Sequence, residues 1–285
     1  QTDNFHSFNL DDPKDQFFYG INYFLGNGVS WNLSKAFEFL TLSVNQNYTD
    51  AQLYLASIYY EGKYVKRNIN RAIHYFTLAA DQNDLYAQFK LGLVYSRDDE
   101  VPRNIEKAIH YFTLAANQNL SKVQYCLGVI YYENGQNPTD IQKAIYYLTI
   151  VADDYLIAQF YLGNIHYKSK YIEKNICKAI YYYSLASDKN HQEAQFFLGS
   201  ICNEGLDVDF DIDKAIHYFK QASNLNNQYA LNNLGIIYKT GDGVTPNPSE
   251  SIKCINETIR WYSNPVAMFN LAHIYFYEEA GMSDL

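Results

Sequence analysis

Apolar residues recur along this chain in two alternating helical rhythms. Around residues 87–95, Ala87, Leu91 and Tyr95 stand four apart, which lines them on one face of an α-helix. Around residues 72–79, Ala72, Tyr75, Phe76 and Ala79 fall at i, i+3, i+4 and i+7, a single apolar stripe. Both rhythms predict amphipathic helices, and neither helix could bury its apolar face alone.

Each rhythm returns as a phrase. The second type of helix, B, carries K/R-A-I-x-Y-Y/F, seen as KAFEFL, RAIHYF, KAIHYF, KAIYYL, KAIYYY and KAIHYF, with its Ala at 36, 72, 108, 144, 179 and 215 and a degenerate copy at Ser251. The first type, A, carries A-Q-x-x-L-G-x-x-Y, whose small residue stands at Gly20, Ala56, Gly92, Gly128, Gly163, Gly199, Gly235 and Ala272. Eight A helices thus alternate with seven B helices, and the B series repeats at intervals of 36 residues with one of 35 between Ala144 and Ala179. The missing residue falls between Ala144 and Ala158, in a turn, where an array absorbs a deletion without shifting its core register. The Gly or Ala after Leu leaves room for a neighbouring helix to approach closely.

The connections carry matching punctuation. Asn32, Asn68, Asn104, Asn175, Asp211 and Asn247 precede B helices and can cap the free N–H groups of a first turn. Asn47, Asn83, Asn119, Asn190 and Asn226 follow them, where Asn tolerates the left-handed conformation that ends a helix. Gly28, Gly62, Gly135, Gly205 and Gly243 mark the A-to-B turns.

Stretches such as AQLYLASIYYEGKYV (51–65) followed by RAIHYFTLAA (71–80) resemble the Sel1-like repeat, a relative of the tetratricopeptide unit, and the resemblance runs from about Asp15 to Tyr277. Two units depart from the pattern: the loop Arg97–Val101 has no Gly, and the last B helix around Ser251 has lost its Ala and Tyr. The resemblance implies an all-α fold, a right-handed α/α superhelical solenoid of about seven and a half helix-turn-helix repeats over residues 14–285, after a polar lead-in over 1–13. It also implies a non-enzymatic scaffold or adaptor that binds a partner protein or peptide on the concave side, lined by A helices. Other Sel1-like proteins serve secretory-pathway or ER quality control, and some have been described as hydrolases.

Carried onto this chain, that geometry points three rows of A-helix residues into the groove. The first is Phe17, Leu53, Phe89, Tyr125, Phe160, Phe196 and Asn232; the third is Phe24, Tyr60, Ser96, Tyr132, Tyr167, Asn203 and Lys239; between them lie Ile21, Ser57, Leu93, Val129, Asn164, Ser200 and Ile236. Tyr and Phe would supply contact area there and Asn would hold a peptide backbone. The first-row aromatics recur with the repeat and read as packing between successive helices, whereas the third row varies and is the better candidate for recognition. The candidate partner-binding residues are Tyr60, Phe89, Ser96, Tyr125, Tyr132, Phe160, Asn164, Tyr167, Phe196, Asn203, Asn232 and Lys239. A regular row of Gln16, Gln52, Gln88, Gln124, Gln159 and Gln195 reads as serving the repeat itself.

Composition narrows the partners. A net charge of −9 with no Lys/Arg-rich run disfavours nucleic acid and favours a basic or neutral protein epitope. No apolar run approaches the roughly 20 residues that cross a bilayer, so no direct membrane insertion is expected. The opening QTDNFHSFNLDDPKD lacks the basic start and apolar core of a signal peptide, and the chain begins at Gln1 without an initiator Met, as an excerpt or a processed chain would. Cys126, Cys177, Cys202 and Cys254 occupy different places in the repeat rather than one pair per unit, which favours a reducing, cytoplasmic setting over the ER lumen or secretion. The sequons at Asn32, Asn47, Asn119 and Asn256 are no more than the Asn content gives by chance.

No enzymatic chemistry stands out. His74, His110 and His217 hold the same B-helix place in three repeats, so they are separated along the array and cannot converge on one metal. The chain carries no G-x-S-x-G, P-loop, HExxH or dinucleotide fingerprint, and no cofactor is expected.

Overall fold

The computed structural model describes residues 9–116, 120–205, 208–262, 265 and 268–272. Among these it contains no strand and fourteen helices: α1 (Pro13–Leu25), α2 (Leu33–Asn45), α3 (Thr49–Glu61), α4 (Ile69–Asp81), α5 (Leu85–Arg97), α6 (Ile105–Ala116), α7 (Ser121–Asn134), α8 (Pro138–Ile150), α9 (Leu156–Lys168), α10 (Ile176–Asp188), α11 (Gln192–Glu204), α12 (Ile212–Asn224), α13 (Gln228–Thr240) and α14 (Pro248–Tyr262). Odd helices are the A type and even helices the B type, and a further helical stretch at 268–272 begins the eighth A position. The helices gather into two compact units, residues 1–130 and 131–285, divided inside α7.

Within each unit an A helix packs most extensively on the B helix that follows it, as α3 does on α4 and α9 on α10, and less on the B helix before it. The reason lies in the small residue of the L-G pair. A Cβ built on Gly92 would stand 2.5 Å from the Phe112 ring, and one on Gly163 would stand 2.5 Å from the ring of Tyr183. The large B-helix residues Leu40, Phe76, Phe112, Leu148, Tyr183 and Phe219 are consequently all fully buried. Each such side chain contributes about 1.5–3 kcal/mol over leaving it in water. In the last B helix, where Ala and Tyr are lost, Ser251 is buried and donates its hydroxyl to the Gly235 carbonyl at 2.6 Å, while Ile255 fills the core position.

Capping follows the expected punctuation. Asn32, Asn68, Asn104, Asn175, Asp211 and Asn247 each accept a backbone N–H three residues on. α8 is capped in the same way by Asn137, ahead of a proline in its first turn. Asn47, Asn83, Asn190 and Asn226 adopt φ between 61° and 67°, the left-handed turn that reverses the chain into the next A helix; Asn119 lies outside the described residues. Where the Arg97–Val101 loop lacks Gly, the chain leaves α5 in an extended conformation at Asp98, whose carboxylate is paired with Arg67 of the preceding repeat's loop at 2.6 Å. The deleted residue is missing from the turn Val151–Tyr155, so both flanking helices keep their phase.

Candidate functional site

The unit 131–285 carries a cavity of about 400 Å³ on its A-helix side. Its walls are Tyr132 and Glu133 at the end of α7, Gly135 and Ile141 around the start of α8, and Asn164 and Lys168 of α9 with the loop Ser169–Tyr171 that follows. α9 ends on Ser169 in extended backbone (φ −67°, ψ 131°) rather than on the left-handed glycine that closes α11 and α13. The loop beside the cavity therefore leaves its helix differently from the loops after α11 and α13, and as the loop after α5 does.

The third-row residues Tyr132 and Tyr167 are half-buried, with Asn203 and Lys239 in the same state further along the unit. Tyr132 packs against Tyr161 at 4.9 Å between centroids, and burial, with Tyr161 beside it, raises the pKa of its hydroxyl. Tyr167 lies between Tyr183 and Phe197 and donates its hydroxyl to Glu204 at 3.3 Å. Burial lowers the pKa of Lys239, a desolvated ammonium near the end of α13. Asn232 accepts from the Asn270 amide at 3.1 Å, a link to the next A position.

Asn164 departs from its expected open position. It is 3% exposed, and its Oδ1 accepts the hydroxyl proton of the fully buried Tyr183 at 2.9 Å. Only one edge of it faces the cavity, because Tyr183 reaches up from α10 to hold it. Tyr183 is a site residue that the periodicity hides, since its ring sits where Phe76, Phe112 and Phe219 sit in other repeats. The available signal was a paired departure, Asn for the residue after Gly and Tyr for Phe, in one and the same repeat.

In the unit 1–130, Tyr60 is half-buried with Arg67 at 5.4 Å and Lys90 at 5.2 Å from its ring centroid. Ser96 turns its hydroxyl back to the Leu93 carbonyl at 3.0 Å, so it serves its own helix. Phe89 is buried at 7% exposure against Phe112, and Lys122 lies 5.4 Å from its ring. Tyr125 is half-buried. In the other unit the first-row residues Phe160 and Phe196 also rest on B-helix rings, those of Tyr183 and Phe219, and Phe160 stacks on His191 at 4.4 Å. The first row is thus packing with one accessible edge.

The glutamine row serves the repeat. Gln52 and Gln88 donate to the left-handed Asn47 and Asn83, at 2.9 and 3.0 Å, and so tie the B-to-A turn to the incoming helix. Gln46 and Gln82 complete the carbonyls of Gln16 and Gln52 at 3.0 and 2.8 Å. His74, His110 and His217 are exposed, each beside the Tyr that follows it. Among the described residues no group of three or more His, Cys, Asp or Glu could hold a metal ion, and no helix is long and apolar enough to cross a membrane.

A family model described as Sel1 repeat matches the chain eight times in succession, at residues 13–48, 49–84, 85–120, 121–153, 156–191, 192–227, 228–257 and 265–282. A Sel1 repeat protein from Oxalobacter formigenes is similar over 92% of this chain and 76% of its own, with 25% identity and a TM-score of 0.61. A protective antigen present in uropathogenic Escherichia coli strains displaying an SLR fold is similar over 95% of this chain and 68% of its own, with 21% identity and a TM-score of 0.50, which is a likeness of fold. No curated protein matches the chain.

Proposed function

We propose, from the premise that this chain belongs to the Sel1 repeat family, that it is a scaffold or adaptor holding a partner protein or peptide on its A-helix face. Sel1 repeat proteins are in general protein-interaction scaffolds, and their solenoid fold is typically non-enzymatic. The observation that carries the finer reading is the unequal use of the A face. Positions that recur from repeat to repeat are consumed by packing, as Phe89 and the glutamines are, whereas Tyr132, Tyr167 and Asn203 belong to the row that varies and stay half-open, with Tyr132 on the wall of the cavity described above. A constant frame with variable open positions is what selective recognition requires.

Replacing Tyr132, Tyr167 and Asn203 together by alanine tests this reading. The folded triple variant should lose a partner that the wild-type chain retains in pull-down and calorimetry. Unchanged affinity in a variant with native circular dichroism refutes the A-face assignment.

A further inference from the structure

Of the nine residues around the cavity between α7, α8 and α9, six carry side-chain hydrogen-bond donors: Tyr132, Asn164, Lys168, Ser169, Lys170 and Tyr171. The Tyr183 hydroxyl donates to Asn164 Oδ1 at 2.9 Å. The Tyr132 hydroxyl lies close to the same Asn164 side chain, whose amide opposes the rise in its pKa that burial causes. The Asn164 Oδ1 is taken, but its amide nitrogen carries two N–H groups and the Tyr132 hydroxyl carries its own proton, so both have a donor for an occupant. Ser169 adds a third, since its Oγ accepts the Tyr171 N–H at 3.3 Å and keeps its own proton.

Two ammonium groups stand at the same cavity. Lys168 lies 4.9 Å from the Phe197 ring and Lys170 4.9 Å from the Tyr171 ring, and neither forms an ion pair among the described residues. Lys168 and Lys170 are both exposed, and partial desolvation lowers the pKa of Lys168. The acidic wall residue, Glu133, is exposed.

The supporting core is built for this repeat only. At the position of Tyr183 the other repeats place Leu40, Phe76, Phe112, Leu148, Phe219 and Ile255, none of which brings a polar atom into the core. A buried hydroxyl is costly unless bonded, and here its bond orients the one asparagine in the middle row. Support of that kind beneath an open cavity preorganises a binding site.

We propose that this cavity receives the carboxylate of an aspartate or glutamate side chain on an extended segment of the partner protein, with Lys168, Asn164 and Tyr132 as its donors. The assignment rests on the scaffold reading above and deepens it. Although the net charge of the whole chain favours a basic or neutral epitope, at this cavity two unpaired cations and a row of donors select an acidic one.

The probe is a phage-displayed library of random nonapeptides, selected on the full 285-residue chain and then measured as labelled synthetic peptides by fluorescence polarisation. Selected peptides should carry Asp or Glu at one position, and exchange of that acid for its amide should weaken binding about tenfold, the worth of a hydrogen bond to a charged group. Lys168→Ala should lose a similar factor, and Tyr183→Phe, which keeps the ring that other repeats use, should lose severalfold. Acid enrichment that persists unchanged on K168A, or enrichment of Lys and Arg, overturns the proposal. Peptides that bind the A face without acid preference overturn it while leaving the scaffold reading intact, and selected peptides whose binding ignores the Tyr132, Tyr167 and Asn203 replacements overturn both. Free acetate or inorganic phosphate that binds as tightly as the peptides identifies a small-anion site instead and overturns it as well.

Discussion

Replacing Gly163 by alanine tests how these repeats close. The added Cβ would stand 2.5 Å from both Cδ1 and Cε1 of Tyr183, inside any normal carbon–carbon contact. That ring cannot yield easily. It is fully buried, stacked on Phe197 at 5.3 Å, and anchored by its hydroxyl to Asn164. Overpacking of a tight core costs about 1–3 kcal/mol, and the immobile ring puts this case near the upper end. Alanine in place of glycine in a helix interior returns about 1 kcal/mol, so the net destabilisation is about 2 kcal/mol. Ala56 occupies the equivalent position over Phe76 and is itself fully buried, so Ala56→Gly should cost the helix term of about 1 kcal/mol and about 1 kcal/mol more for the lost buried methyl. Urea unfolding followed by far-ultraviolet circular dichroism compares the variants. Because repeat arrays need not unfold in a single step, hydrogen exchange in α9 and α10 should localise the loss. A Gly163→Ala chain as stable as the wild type, or more so, refutes the close-approach reasoning.

Two further expectations follow from buried titratable groups. Burial lowers the pKa of both His166 and His191 below 6.5, with Lys178 adding to the effect at His166 and Glu193 opposing it at His191. His191 also caps α11 through an unprotonated Nδ1 that accepts the Ala194 N–H at 3.3 Å. Since the unfolded chain binds these protons more readily, the stability they contribute is fully present above about pH 6.5 and is lost as pH falls through the folded-state values. The double variant His166→Tyr and His191→Asn, built from residues other repeats use at those places, should flatten the fall in urea midpoint between about pH 7 and about pH 5; an unaltered slope refutes the assignment. The cysteines should divide by reactivity. Cys177 is exposed, whereas the pKa of Cys126 is raised by burial and that of Cys254 is pushed up to about 11 by burial with Glu250 and Glu257 nearby. Iodoacetamide followed by peptide mass mapping should label Cys177 first and Cys254 only on unfolding. Equal labelling of the two in the folded chain refutes it.

Much of the architecture is readable from the residues one after another. The alternation of two helix types, the asparagine caps, the left-handed turns and the place of the deletion all depend on contacts within four residues or on the conformational range of single residue types, which local sequence encodes. The demotion of the first aromatic row and of the glutamines was also within reach, because a residue repeated in every unit serves what every unit shares.

What lay beyond the sequence is the partnering across helices. Asn164 looks like an open amide when only its spacing is considered, and becomes a buried one once Tyr183, 19 residues on, reaches it from the facing helix. Lys168 and Lys170 carry no special spacing, and their meaning arises because the end of α9 and the loop after it bring them to the same cavity as Tyr132 of α7. The net charge of −9 likewise describes the chain as a sum, while the cavity's donors describe one place on it. The helices follow from short-range chemistry along the chain. The site follows from distances between residues far apart in sequence, set only when the helices pack.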